Sequence, residues 1–237
     1  MRFETTNWRV IVEATTGDSG AARAALAALC QSYWPPIYAF IRSKGHSSTD
    51  AEDLTQAYFA RFLEKRYLDD FRPEVGRFRT FLRASVAHFL ANEWDRERAQ
   101  KRGGGQRVLS LDVDEAEERW RREPVDRLTP DAIFERQWAA AMLARCLRRL
   151  REKHDEPESL SRFEKLKPFL VGGESDGGYE KLARELGATE AAARVAVHRM
   201  RKRFCEVVRE EVARTVASPG DVDGEIRWLL TTVRAAG

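Results

Sequence analysis

The sequence lacks the features of a membrane protein, a secreted disulfide protein and a metal site. No apolar run approaches the roughly 20 residues that a membrane span needs, and no apolar stretch follows the N-terminal MRFETTNW as a signal peptide requires. Cys30, Cys146 and Cys205 are odd in number and far apart, which favours buried thiols in a reducing cytoplasm over disulfides or zinc ligands. We therefore expect a cytoplasmic protein that holds no metal or other cofactor.

Signs of a catalytic site and of a β-sheet are equally sparse. The four histidines are scattered, no glycine-rich phosphate loop follows a strand, and no nucleophile–base pair stands out. No segment shows the strict alternation of apolar and polar residues that is typical of a strand. We expect an all-α protein, and an enzyme is the least favoured class.

Charge is unevenly distributed, although the formal net charge of the 237 residues is only +3. Between residues 194 and 209, six basic residues stand against the single acid Glu206. Between residues 111 and 126, seven acids stand against three arginines. This acidic run follows Gly103-Gly104-Gly105 and is typical of a flexible linker. An acidic run could also mimic nucleic acid inside a basic channel.

These shifts predict two small helical domains joined by a flexible acidic linker, the second being a helix-turn-helix domain. The first domain covers residues 1–102, the linker 103–128 and the second domain 129–215, and a C-terminal tail helix occupies 216–237. Thr129-Pro130 should start the second domain, because proline suits the first position of a helix. Pro35-Pro36 should interrupt or kink a long helix of the first domain.

The segment 179–203, YEKLARELGATEAAARVAVHRMRKR, predicts two helices joined by a tight turn. Gly187 supplies the left-handed residue that ends the first helix, and Thr189 can cap the second. The second helix has an apolar stripe, made of Ala193, Val197, Met200 and Phe204. Its other side is basic. Such a helix could enter a DNA major groove, or it could be a surface helix with a solvated face.

The segment 49–65, TDAEDLTQAYFARFLEK, predicts a helix with an acidic start. Thr49 and Glu52 have the spacing of a capping box. Apolar and aromatic residues cover more than one face of this helix, which indicates a partner surface in addition to a core. Simple helix capping is the alternative explanation for the acids.

The segment 77–102 interleaves seven basic residues with the aromatics Phe78, Phe81, Phe89 and Trp94. Aromatics beside cations suit single-stranded nucleic acid, because rings stack on bases while cations bind phosphates. Most of these aromatics should nevertheless belong to the core of a helical domain. A polar face carries the candidate base-reading residues, which are His88, Asn92 and Arg96.

Taken in order, these three segments resemble the small, extracytoplasmic-function type of sigma factor of bacterial RNA polymerase. DAEDLTQAYFARFLEK is similar to the family's polymerase-binding helix, and GRFRTFLRASVAHFLANEWDRERAQKR to the segment that melts and reads the downstream promoter element. YEKLARELGATEAAARVAVHRMRKR is similar to the reader of the upstream element. The resemblance covers roughly residues 20–102 and 130–212.

The resemblance implies three sets of functional residues. The first binds polymerase through Asp50, Glu52, Asp53 and Gln56. The second binds the melted downstream element through Arg77, Arg79, His88, Asn92, Arg96 and Lys101. The third reads the upstream duplex through Glu190, Arg194, His198, Arg199, Lys202 and Arg203. Sigma factors perform no covalent chemistry.

The implied partners are core RNA polymerase and promoter DNA, with an anti-sigma factor or a Ser/Thr kinase as further candidates and no membrane. Thr55 is a candidate phosphosite beside Asp53 and Gln56, where a phosphate would add about −1.5 to −2 charge; an ordinary helical threonine is the alternative.

The main alternative function is a helix-turn-helix regulator that does not act through core polymerase. Such a regulator would not need the acidic helix.

Overall fold

Ten α-helices account for most of the residues that the computed structural model describes, which are 20–64, 77–99, 112–121, 128–171, 178–216 and 218–234. Within these ranges there is no strand, so the all-α prediction is confirmed. None of the helices there is long and apolar enough to span a bilayer. The helices are α1 (Gly20–Ser43), α2 (Ser48–Glu64), α3 (Phe78–Ala99), α4 (Val113–Arg121), α5 (Pro130–Arg151), α6 (Pro157–Leu166), α7 (Pro168–Val171), α8 (Gly178–Leu186), α9 (Glu190–Ala213) and α10 (Val222–Arg234).

Two local predictions need correction, one at the start of α2 and one within α1. The side chain of Ser47, not Thr49, accepts the hydrogen bond from the backbone NH of Asp50 at 3.1 Å, and the Ser47 hydroxyl donates to the Asp50 carboxylate at 2.7 Å. The helix α1 continues through Pro35 and Pro36, which contradicts the interruption, one of the two predicted effects of these prolines. The prolines lie in a stretch where Ile37 is fully buried, so tertiary burial outweighs the missing backbone hydrogen bonds.

The chain divides into two compact units. Unit 1 comprises Met1–Ala141 and Ala213–Gly237, and unit 2 comprises Met142–Val212. This division differs from the predicted domain start at Thr129, because α5 begins in unit 1 and ends in unit 2. The predicted tail helix, α10, also belongs to unit 1.

Aromatic side chains form much of the core of unit 1. Tyr33 of α1 stacks on Trp138 of α5 with ring centroids 4.4 Å apart, and Phe78 of α3 meets Tyr33 edge-on at 5.5 Å. Phe40 and Phe134 repeat the contact between α1 and α5 at 6.1 Å. The first half of α5 therefore completes this core, which explains why the boundary lies within the helix.

The acidic segment predicted to be flexible contains the packed helix α4. Trp120 is 9% exposed, and the guanidinium of Arg42 lies 5.4 Å from the centre of its ring. The Glu117 carboxylate accepts hydrogen bonds from Arg42, at 2.8 and 3.0 Å, and from Tyr38, at 2.7 Å. Although partial burial opposes it, these bonds hold the pKa of Glu117 below its usual range. The linker prediction is therefore wrong for residues 113–121.

Unit 2 consists of the second half of α5 and the helices α6 to α9. Phe163, Leu166 and Leu182 are buried within this unit, as is the apolar side of α9. Glu211 of α9 is 2% exposed, and its carboxylate pairs with Arg149 of α5 at 2.8 Å and with Arg145 at 3.4 Å. These ion pairs link the C-terminal half of α9 to α5 within the unit.

The packing of α4 predicts that Trp120→Ala will lower the free energy of unfolding of the full chain by about 3 kcal/mol, the cost of removing a buried tryptophan. A tryptophan in a flexible linker would cost almost nothing. Urea denaturation followed by circular dichroism measures the difference. Glu118→Gln, at an exposed position of the same helix, is the control. Equal stabilities for the two variants would contradict the packed α4.

Candidate nucleic-acid and protein interfaces

The turn between α8 and α9 has the geometry that the sequence predicts. Gly187 has a φ of +61°, the left-handed conformation that glycine adopts at low cost. The NH of Ala188 donates to the Ala183 carbonyl at 2.9 Å, and the NH of Gly187 donates to Arg184 at 3.2 Å. This bond pattern ends α8 as a Schellman motif. Thr189 then caps α9 by accepting from the NH of Ala192 at 3.2 Å.

The helix α9 presents two chemically distinct faces. Its predicted apolar stripe is buried, with exposures of 0–6% at Ala193, Val197, Met200 and Phe204. The six residues that the sequence assigns to upstream DNA are all exposed, and they are Glu190, Arg194, His198, Arg199, Lys202 and Arg203. The apolar side therefore holds the helix in unit 2 while the basic side faces solvent.

Arg194 is held in place by two neighbours on this surface. It pairs with the Glu190 carboxylate at 2.6 Å, and its guanidinium lies 4.3 Å from the centre of the Tyr179 ring. Val195 beside it is 48% exposed. Sequence reasoning missed Tyr179 and Val195, although both lie within the segment that it singled out.

A cavity of about 590 Å³ adjoins the exposed face of α9 within unit 2. Its floor includes Leu166, and arginines line it at positions 162, 199 and 203. His154 at its edge lies within 2.6 Å of the Ser159 hydroxyl. Burial, helped by the Arg203 cation, lowers the pKa of His154 and so disfavours its charged form. The positive charge here therefore comes from arginine.

The acidic start of α2 exposes only part of the predicted polymerase-binding set. Asp50 and Asp53 are exposed, and Glu52 is partly exposed. Gln56 is only 6% exposed, so its side chain belongs to the interior of unit 1 and not to the surface. The two exposed aspartates lie three residues apart on one helix, and they form an acidic patch next to the helix N-terminus.

Thr55 is unsuited to modification in this structure. It is fully buried, and its hydroxyl donates to the Ala51 carbonyl at 2.6 Å. A kinase needs an exposed hydroxyl, so the candidate phosphosite is incompatible with the folded conformation of α2. The sequence pattern placed Thr55 beside Asp53 but could not reveal which side of the helix it faces.

Along α3 the structure separates core aromatics from surface residues. Phe78 and Phe89 are each 2% exposed, whereas Trp94 is 60% exposed. His88 is exposed, and its Nδ1 lies 3.4 Å from Nδ2 of Asn92, so both lie on one face as predicted. The side chain of Arg96 and the whole of Lys101 lie outside the described residues.

Two of the arginines assigned to downstream DNA, Arg77 and Arg79, form ion pairs with other residues of the protein. Arg79 is 6% exposed; it pairs with Glu135 at 2.8 Å and with Glu225, and its guanidinium lies 3.5 Å from the Trp228 ring centre. Arg77 pairs with Glu225 at 3.0 Å. Burial lowers the pKa of Arg79 to about 10, so it stays charged at pH 7. Arg79 is therefore not part of an open DNA surface in this conformation.

The cysteines correspond only partly to the prediction of buried thiols. Cys30 and Cys146 are buried and Cys205 is exposed, and all three are free. Burial raises the pKa of the Cys30 and Cys146 thiols to about 12. Across the described part of the chain, no group of three or more His, Cys, Asp or Glu side chains could hold a metal ion.

Comparison with known protein families assigns one part of this molecule. Residues 29–100, which include most of α1 and all of α2 and α3, match the family model described as Sigma-70 region 2. No curated protein and no solved structure matches the chain. The match supports a sigma factor. In sigma factors, region 2 binds core RNA polymerase and promoter DNA.

The burial of Thr55 predicts that Thr55→Glu, which imitates a phosphate, will lower the free energy of unfolding by on the order of 3–5 kcal/mol, because it leaves an uncompensated charge in the core. Thr49→Glu places the same charge at an exposed position near the start of α2 and should be close to neutral. Urea denaturation of both variants provides the comparison. Equal stability would restore Thr55 as a candidate phosphosite.

Proposed function

We propose that this protein is a sigma factor of the extracytoplasmic-function type, which binds core RNA polymerase and directs it to specific promoters without catalysing a reaction itself. The Sigma-70 region 2 match over residues 29–100 is the observation that carries the proposal. The separate unit 2, with its exposed basic helix, supports it. A sigma factor with two DNA-binding parts needs one surface for duplex DNA and another for a melted strand.

The acidic patch of Asp50 and Asp53 is the proposed polymerase contact. Both side chains are exposed beside the N-terminus of α2, while Gln56 behind them is buried. Exposed carboxylates attract basic partners. This attraction chiefly raises the association rate and disfavours partners of the same charge. In this proposal Asp53 makes the direct contact, since Asp50 already interacts with Ser47.

The exposed end of α3 is the proposed site for the melted downstream element. Trp94 presents an indole at the surface, and His88 and Asn92 offer hydrogen-bonding groups on the same helix. An unstacked base can stack on an exposed indole, which is worth about 1–3 kcal/mol per base. Capture of such a base would favour the open duplex over the closed one.

The exposed face of α9 is the proposed reader of the upstream element. Arg199 and Lys202 extend this face beyond Arg194, whose orientation is fixed by Glu190 and Tyr179. Arginine can form bidentate hydrogen bonds to guanine in the major groove, while lysine neutralises phosphate charge. Val195 is available to contact the methyl group of a thymine.

Run-off transcription with purified core polymerase and a library of promoter-like duplexes tests the proposal. Addition of the protein should give transcripts whose templates share two spaced motifs. Asp53→Arg should reduce these transcripts at least tenfold by reversing the charge of the polymerase contact, while Asp114→Arg, the same change at an exposed position of α4, should retain them.

Two outcomes of this experiment would contradict the proposal. Absence of protein-dependent transcripts, together with retained DNA binding, would favour a helix-turn-helix regulator that acts without core polymerase. Equal transcription by the Asp53→Arg and wild-type proteins would exclude the acidic patch as the polymerase contact, even if the protein proves to be a sigma factor.

The exposed face of α9 predicts the salt dependence of duplex binding. Lys202→Gln should reduce the slope of log K against log salt by about 0.9, the amount expected for one lost phosphate contact. Fluorescence anisotropy with the full-length protein and a short labelled duplex measures this slope. Lys153→Gln removes the same charge from an exposed loop position of unit 2 and should leave the slope unchanged. If both variants alter the slope equally, α9 is not the DNA-binding helix.

A further inference from the structure

The tail helix α10 packs over the beginning of α3 within unit 1. Leu229 of α10 is 1% exposed and Val222 is 5% exposed, and Trp228 packs against the aromatic core of the unit. The carboxylate of Glu225, which is 5% exposed, pairs with both Arg77 and Arg79. The tail therefore contributes a buried anion and an aromatic ring at this position.

Charged residues from three helices, α3, α5 and α10, lie close together around Arg79. Glu135 of α5 pairs with Arg79 at 2.8 Å and also lies 3.6 Å from Arg83, and Asp131 lies 3.4 Å from Arg83. Glu225 is the acid that α10 adds to this cluster, and the Arg77 pair depends on it. If α10 moved away, Arg77 would lose this partner and the guanidinium of Arg79 would lose the ring that covers it.

We propose that α10 masks a DNA-binding site within the same molecule. In this conformation Glu225 forms the ion pairs with Arg77 and Arg79 that a DNA phosphate would otherwise form. The inference rests on the proposed function and adds a form of regulation to it. A carboxylate and a phosphate satisfy a guanidinium with the same charge-assisted hydrogen bonds, so the tail and nucleic acid compete for the same donors. Binding of one must then weaken binding of the other by an equal factor.

The construction of the tail is consistent with a reversible element. It is a single helix of 13 residues that follows a short turn at Pro219–Asp221. Leu230 on its outer side is 46% exposed and Arg227 is also exposed. Short elements with few buried side chains open more readily than the core of a domain.

The first test is the salt dependence of binding to a labelled oligo-dT single strand by the full-length protein. Glu225→Gln keeps the size of the side chain but removes its charge. Arg79 keeps its pair with Glu135, so the change frees Arg77, and the slope of log K against log salt should steepen by about 0.7, which corresponds to one additional phosphate on a single strand. Affinity at low salt should rise about tenfold. Asp221→Asn, an exposed acid just before α10, should change neither the slope nor the affinity.

The second test uses the wild-type protein, so its result cannot be affected by misfolding of a variant. Hydrogen exchange of residues 222–234 is measured with and without saturating oligo-dT. The mask predicts faster exchange in α10 when DNA is bound, because DNA displaces the tail. Unchanged or slower exchange would overturn the proposal.

These outcomes distinguish a masking tail from a tail that only stabilises the fold. They also test the mask independently of the sigma factor proposal. A structural tail predicts that Glu225→Gln lowers stability and affinity with no change in slope, and that result would refute the mask. Run-off transcription by the wild-type protein tests the sigma factor proposal independently. Protein-dependent transcripts with identical salt slopes for wild-type and Glu225→Gln would retain the function and reject the mask.

Discussion

The stack of Tyr33 on Trp138 is the contact on which unit 1 depends, because it joins helices that are distant in sequence. Phe78 packs against Tyr33, so α1, α3 and α5 meet at one aromatic cluster. The cluster fixes the start of α3, which carries Arg79, and the first half of α5, which carries Glu135. The charge pair between these two residues then follows from aromatic packing.

Acids from outside the Sigma-70 region 2 match neutralise several arginines of unit 1. Glu117 of α4 pairs with Arg42, and Glu225 of α10 pairs with Arg79. A partly buried cation is costly without a partner, so these acids stabilise the unit. This explains why segments with the composition of a spacer and a tail form packed helices. Net charge over a window cannot distinguish a solvated acid from one that is paired.

Sequence patterns predicted most features that depend on neighbouring residues, although the cap at Thr49 was wrong, and they missed several features that depend on tertiary packing. The turn at Gly187 and the cap at Thr189 are local, and both were predicted. The helix α4 was missed because its many acids obscured the spacing of Ala116 and Trp120. The burial of Gln56 could not be predicted, since aromatics on several faces of α2 left its buried side undefined.

Hydrogen bonds within the protein distinguish charged residues that exposure alone does not. Arg199 and Arg201 lie two residues apart in the same basic run, yet Arg201 donates to the Phe169 carbonyl at 2.9 Å while Arg199 extends from the exposed face of α9. Arg79 also has an internal hydrogen bond, to Glu135 of α5, but its second partner, Glu225, belongs to a short terminal helix. The bond of Arg201 lies within unit 2, whereas a cation paired with a terminal helix would lose that partner if the helix moved. In the proposed mask, packing of α10 and binding of DNA compete for Arg77 and Arg79.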